Sequence, residues 1–192
     1  MPDTSTRVIL VRHGRTALNA EGRLRGLADP ELDETGIAEA EAAAAALAPF
    51  GIVRVLSSPL RRAMRTAEII ARASGAPHLA DAAFNDRDYG PWTGRLKADV
   101  VAEWGGVDAA PGVEDGRSVL ARARAALDAL AASPGGPVAI VTHDAVIRPL
   151  LESIRPGIVL EAPTGSWADL RHGDEGWSLA SYDNRPPASR EP

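Results

Sequence analysis

Val8-Ile9-Leu10-Val11 followed by Arg12-His13-Gly14 is the stretch on which the fold turns. Four consecutive apolar residues that stop at charged residues and a glycine predict a buried strand feeding a loop. The same grammar recurs twice. Val53-Arg54-Val55-Leu56 runs into Ser57-Ser58-Pro59, and Val138-Ala139-Ile140-Val141-Thr142 runs into His143-Asp144. Helical patterns lie between these strands. Leu32 to Leu47 is rich in alanine, with Asp33 placed to cap it. Ser58 and Pro59 suit the cap and first position of a second helix, which reaches about Ala73 and stops near Gly75. Ser118 to Ala132 predicts another, and a further helix follows His143. Strands alternating with helices of this length predict an α/β fold with a largely parallel sheet.

Working outward, residues 84–117 are broken by Gly90, Pro91, Gly94, Gly105, Gly106, Pro111, Gly112 and Gly116, with a short helix predicted from Lys97 to Trp104. Trp167–Leu170 and Trp177–Tyr182 read as a terminal hairpin around His172–Gly176. With 192 residues and no internal repeat or linker, the chain is expected to form one domain over 1–184, with 185–192 as a disordered tail. His78, beside Pro77, and His172, in the hairpin turn, read as surface residues.

Composition narrows the function classes. There is no cysteine, which removes disulfides, thiolate metal sites and a cysteine nucleophile. A net charge of −5 argues against a nucleic-acid partner. No stretch approaches the roughly 20 apolar residues of a membrane span, and the polar start at Met1–Thr6 does not resemble a secretion signal. A cytoplasmic protein is expected. Lys97 is the only lysine, every other basic residue being arginine, the side chain suited to gripping carboxylate or phosphate with a planar fork.

In open α/β sheets the ligand site lies beyond the carboxyl ends of the strands. The first strand delivers Arg12 and His13 there, the third clear strand delivers His143, and the second leads to a helix whose first turn carries Arg61 and Arg62. Two histidines and several arginines on one rim suit a phosphoryl group. Nearby positive charge keeps an imidazole neutral, and a neutral ring nitrogen can attack phosphorus to give a phosphohistidine. Arginines can supply the charge stabilisation without a metal, and four histidines without cysteine predict no metal cage and no cofactor.

Leu10-Val11-Arg12-His13-Gly14-Arg15-Thr16 resembles the signature of the histidine phosphatase superfamily, the phosphoglycerate mutase-like proteins. Asn19 and Gly26, Leu32–Gly36, Ser57–Ala63 with Thr66-Ala67, Asp88–Gly94 and Val141–Asp144 resemble further blocks of that family, in its order, over residues 8 to about 182. The resemblance implies a three-layer sandwich, with helices on both faces of a mostly parallel central sheet. It also implies that His13 carries the phosphoryl group, that Arg12, Arg62 and His143 form the phosphate pocket, and that Thr16 and Asn19 add hydrogen bonds. For the general acid, the family's usual glutamate position holds Asp86, one methylene shorter. Asp144 is the rival, because the acid-phosphatase branch uses an aspartate directly after its second catalytic histidine.

The activity implied is metal-independent hydrolysis of small phosphomonoesters by a chain that can act as a homodimer. Two alternatives stand beside it. One is a bisphosphoglycerate-dependent mutase, for which Lys97, eleven residues after Asp86, matches a substrate-facing lysine. The paired arginines that mutases carry between Trp104 and Gly116 are missing. The other is a catalytically weakened phosphoryl-binding protein.

Overall fold

The structure is a computed structural model and describes residues 6–133 and 135–186. Strands β1 (Thr6–Arg12), β2 (Arg54–Ser57), β3 (His78–Ala80), β4 (Val138–Thr142), β5 (Trp167–Gly173) and β6 (Gly176–Asn184) form one sheet in the order β3-β2-β4-β1-β5-β6. The pairings β1–β4, β2–β4 and β2–β3 are parallel, and β1–β5 and β5–β6 are antiparallel. The sheet is therefore mostly parallel. The helices are α1 (Ala17–Ala20), α2 (Glu34–Leu47), α3 (Arg61–Ser74), α4 (Lys97–Trp104), α5 (Gly116–Ala131) and α6 (Asp144–Ile154). Among the described residues, no helix is long and apolar enough to cross a membrane.

Strand alternation sorts the core into two layers. Val8, Leu10, Val138 and Ile140 face one way and pack with Leu127 of α5 and Ile147, Leu150 and Leu151 of α6. Ile9, Val11, Ala139 and Val141 face the other way, onto Ala44 and Leu47 of α2 and Ala63, Ala67 and Ile70 of α3. The small side chains of α2 and α3 let both helices sit close to the sheet. Fully burying a Leu or Ile contributes about 1.5–3 kcal/mol, so β1 and β4, covered on both faces, anchor the fold. Edge strand β3, with Leu79 59% exposed, adds little.

The connections place the functional edge. β1 leads through α2 to β2, two positions away, and β4 then fills the gap before its chain turns to α6 on the opposite face. The chain thus leaves the neighbouring ends of β1 and β4 toward opposite faces, which opens a crevice beyond them.

Asp33 caps α2 as expected, accepting from the Gly36 amide at 2.8 Å. The predicted cap of α3 is corrected. The helix begins at Arg61 with Leu60 at the cap position, while Ser58 donates its amide to Val141 O at 3.0 Å and so extends the sheet. The chain therefore still follows the sheet at Ser58 and bends through Pro59 and Leu60 before the helix starts. His78 lies in edge strand β3, where its Nε2 meets Ser57 Oγ at 2.8 Å. His172 belongs to β5, half-buried and edge-on to Trp177, instead of exposed in the turn. In the expected tail, Arg185 pairs with Glu161, and residues 187–192 lie outside the described residues.

Candidate active site

The crevice is lined from strand ends. His13 follows β1 and donates its backbone amide to Thr142 O at 3.0 Å, one ladder bond beyond the strand. His143 follows β4 as the cap residue of α6, yet its side chain makes no capping bond. Both rings are completely buried, with centroids 5.0 Å apart. The Nδ1 of His13 lies 2.7 Å from its neighbour's carbonyl, Gly14 O. That carbonyl can only accept, so Nδ1 carries the proton and Nε2 presents its lone pair. Nε2 is buried without a partner.

The loop carrying His13 is held tightly. Gly14 donates to Thr66 Oγ1 of α3 at 3.1 Å, and Thr66 in turn bonds Arg62 O. Gly14 and Gly36 pack backbone to backbone, so a Cβ at position 36 would overlap the Arg15 main chain. Two glycines bring the start of α2 against the histidine loop.

Arg62, in the first turn of α3, is fully buried. It donates to Ala28 O at 2.7 Å, Gly26 O at 2.9 Å and Asp86 Oδ2 at 2.8 Å. Arg12 donates to Ala162 O at 2.5 Å and lies 3.6 Å from Asp144 Oδ1. Arg61 and Arg65, on the same helix, point away from the crevice and pair with Glu31 and Glu68 at the surface.

Asp86 sits between Arg62 and His143, whose Nδ1 is 3.4 Å away, and its side chain is 1% exposed. Its segment is fixed from two sides. Thr142 Oγ1 donates to Phe84 O at 2.7 Å, and Arg122 of α5 donates to the carbonyls of Ala83, Asn85 and Asp86. Beside Asp86 opens a cleft of about 480 Å³ that includes Leu27, Asp88, Val113 and Arg122.

Thr16 and Asn19 are brought to the same loop but engage each other. Asn19 Oδ1 accepts from the Thr16 amide and hydroxyl at 3.1 and 2.8 Å, the capping box of α1. That leaves the Asn19 amide group, not its oxygen, to reach a ligand. Asp144 is drawn to Arg25, whose Nη2 is 2.9 Å from its Oδ1. Trp92 and Trp104 stack edge-to-face at 5.6 Å, and Trp92 packs on a small core of Leu24, Tyr89, Val100 and Ala110 that closes the irregular segment.

The electrostatics follow from burial and the guanidiniums. Burial, then Arg62, Arg12 and Arg25, hold the pKa of His13 well below the ordinary histidine value. Burial and Arg62 do the same to His143. Both rings are neutral at pH 7. Burial pushes the Asp86 carboxyl up against the pull of Arg62. Burial also works upward on Asp144, but Arg12, Arg25 and Arg148 outweigh it and hold that carboxyl below its ordinary value.

Arg25 and Arg122 escaped the sequence reading. Arg25 stands beside Gly26, which did stand out, and that adjacency was the available signal. Arg122 shows no distinguishing pattern on its helix.

Residues 8–185 match the family model of the histidine phosphatase superfamily, branch 1. The chain belongs to that superfamily. Among solved structures, a mycobacterial glucosyl-3-phosphoglycerate phosphatase is similar with a TM-score of 0.83 and 28% identity, over 92% of this chain and 98% of that one. A phosphoglycerate mutase from Bacillus anthracis shares the fold with a TM-score of 0.85 and 22% identity, over 94% of this chain and 93% of that one. A 2,3-bisphosphoglycerate-dependent phosphoglycerate mutase of Sinorhizobium fredii is 42% identical over 103 residues, 51% of this chain and 49% of that protein. The chain spans about half the length of the curated relatives it matches.

Proposed function

We propose that this member of the superfamily is a metal-independent phosphatase that hydrolyses small phosphomonoesters through a phosphohistidine on His13. The observation that carries the reading is the His13 ring: buried, neutral, with Nδ1 fixed on Gly14 O and Nε2 free. The Nε2 lone pair attacks phosphorus, and the bond from phosphorus to the ester oxygen breaks. Asp86 gives its proton to the departing alkoxide, the task for which a raised carboxyl pKa suits it. Water then attacks the phosphohistidine and loses a proton to the Asp86 carboxylate. The P–N bond breaks, returning neutral His13 and free phosphate.

Arg12 and Arg62 stabilise the charge on the transferred group as preorganised donors, with His143 adding a ring N–H and Asn19 its amide. Thr16 holds Asn19 in place. The cleft beside Asp86 gives the leaving group its room. Asp144, ionised and tied to Arg25, is the poorer acid.

The likeness to the mycobacterial phosphatase over nearly the whole of both chains supports hydrolysis. A mutase reading keeps one feature: Lys97, at the start of α4, stands eleven residues after Asp86, where the resemblance puts a substrate-facing lysine. Phosphate release from a panel of phosphomonoesters, comparing wild type with His13→Ala, separates the two. The panel includes 3-phosphoglycerate with and without bisphosphoglycerate. Release that vanishes in the variant and persists in chelator is expected. Conversion of 3- to 2-phosphoglycerate without release would replace the phosphatase by a mutase. Phosphate binding without turnover would leave only a phosphoryl-binding protein.

A further inference from the structure

Among the described residues, six buried side-chain nitrogen atoms have no hydrogen-bond partner, and they belong to five residues: Arg12, His13, Arg25, Arg62 and His143. Four of these already make up the phosphoryl pocket. Buried polar groups are rarely left unpaired unless a ligand or water completes them. The fifth residue therefore carries the same signature as the other four.

The likeness extends to how each guanidinium is held. Arg12 rests on the Ala162 carbonyl and Asp144, and Arg62 on the Ala28 and Gly26 carbonyls and Asp86. Arg25 rests on the Arg23 carbonyl at 3.5 Å and on Asp144 at 2.9 Å. In all three, the Nη groups are tethered by backbone oxygen and one carboxylate, while Nε is buried and free. Such tethering fixes a planar fork in advance of its anion. The side chain of Arg25 is only 11% exposed, so this is a built position and not a surface arginine. The charge of Arg25 also acts on His13, His143, Arg62 and Asp86, which places it among them.

We infer that Arg25 is a third anion-binding guanidinium of this pocket and that Asp144 is the residue that positions it. Asp144 holds two guanidiniums, Arg25 and Arg12, with one oxygen. Its role is thus to aim donors, and it transfers no proton. The inference rests on the reading of the crevice as a phosphoryl site and extends that site by one ligand.

The test uses the full chain as wild type, Arg25→Gln, Arg25→Lys and Asp144→Asn. Calorimetric titration with inorganic phosphate and orthovanadate is combined with kinetics on p-nitrophenyl phosphate and glycerol 3-phosphate. Losing one charge-assisted contact predicts that Arg25→Gln weakens both anions about tenfold or more and raises KM more than it lowers kcat. Arg25→Lys, which keeps the charge but not the fork, recovers part of the loss, and it carries the test if the Gln variant does not fold. Asp144→Asn weakens both anions and lowers kcat/KM by the same factor for both esters.

A folded Arg25→Gln that binds both anions within twofold of wild type would reduce Arg25 to a structural ion pair. Tighter anion binding by Asp144→Asn would make Asp144 a mere counter-charge and overturn its positioning role. A loss confined to glycerol 3-phosphate would make it the acid and overturn that role equally. The titrations do not depend on turnover. Wild type that binds phosphate but releases none from any ester removes the phosphatase reading alone. Turnover with an insensitive Arg25→Gln removes the present inference alone.

Discussion

Two carboxylates border His143, and their surroundings drive them apart. Asp86 comes from the irregular segment after β3, is almost dry, and meets a single guanidinium that is itself fully buried. Asp144 opens α6, keeps 21% of its side chain exposed, and meets two guanidiniums. Desolvation wins at the first site and charge at the second, so one carboxyl is pushed up and the other held down. Two aspartates within one pocket are thus tuned in opposite directions, and the difference lies in the number of arginines and the amount of water around each.

The sharpest way to break this contrast is to remove each proton or charge in turn. Asp86→Asn should lower kcat/KM for glycerol 3-phosphate by about 10²–10⁴-fold, the usual range for a lost general acid. The loss for p-nitrophenyl phosphate should be far smaller, because its leaving group departs without protonation. Asp144→Asn should show no such selectivity. Exchange of these two patterns in steady-state kinetics would reverse the assignment.

Stability should divide the same way. Asp86→Ala strands the buried Arg62 charge, and breaking a buried pair costs about 3–5 kcal/mol. Asp144→Ala releases two guanidiniums that, like Asp144 itself, keep some contact with water, so its loss should be smaller. Urea unfolding of both variants at pH 7 measures the gap, and equal losses would mean that burial does not separate the two sites.

How much of this contrast was legible beforehand follows from where the information sits. Arg12, His13 and His143 stand at the ends of apolar runs, and Arg62 in the first turn after another, so periodicity alone brings them to one edge. The helix boundaries at Asp33 and Lys97–Trp104 were equally readable. Ser58 was not, because whether it caps α3 or extends β2 depends on Val141, which pairs with it across the sheet. Arg25 was hidden for the same reason, its partner Asp144 being 119 residues away. Three-residue β3 is too short to show a pattern. Asp86 and Asp144 could both be named as candidates, but choosing between them requires counting the arginines around each, and that count exists only in the folded chain.

pH offers a subtler probe of the acid. Asp86 must hold a proton to protonate the alkoxide, so kcat for glycerol 3-phosphate should fall as pH rises through its carboxyl pKa. That limb should lie above the ordinary value of 3.8, because burial raises the folded pKa. It should disappear in Asp86→Asn and survive in Asp144→Asn. A limb that vanishes only in the Asp144 variant would contradict the desolvation argument.

The smallest expected effect concerns the pH dependence of folding. His13 and His143 are held neutral by burial, then by Arg62, so their folded pKa values lie well below the ordinary 6.5. Below that value the unfolded chain takes up protons that the folded chain refuses. Stability is therefore fully present above pH 6.5 and declines as pH falls toward 5, by at most about 1.4 kcal/mol per pH unit for each ring. Asp86 works in the opposite sense: its raised carboxyl binds a proton in the folded state first, favouring the fold at low pH and offsetting part of the loss. His78, lowered by burial as well, joins the two rings, and three rings against one carboxyl leave a net decline. Thermal melts of wild type from pH 7.5 to 5 should show Tm falling, with a shallower slope in His143→Asn, which carries one such ring fewer. A wild-type Tm that rises as pH drops would mean that the Asp86 proton dominates the pocket, and that the two histidines are less shielded than their burial implies.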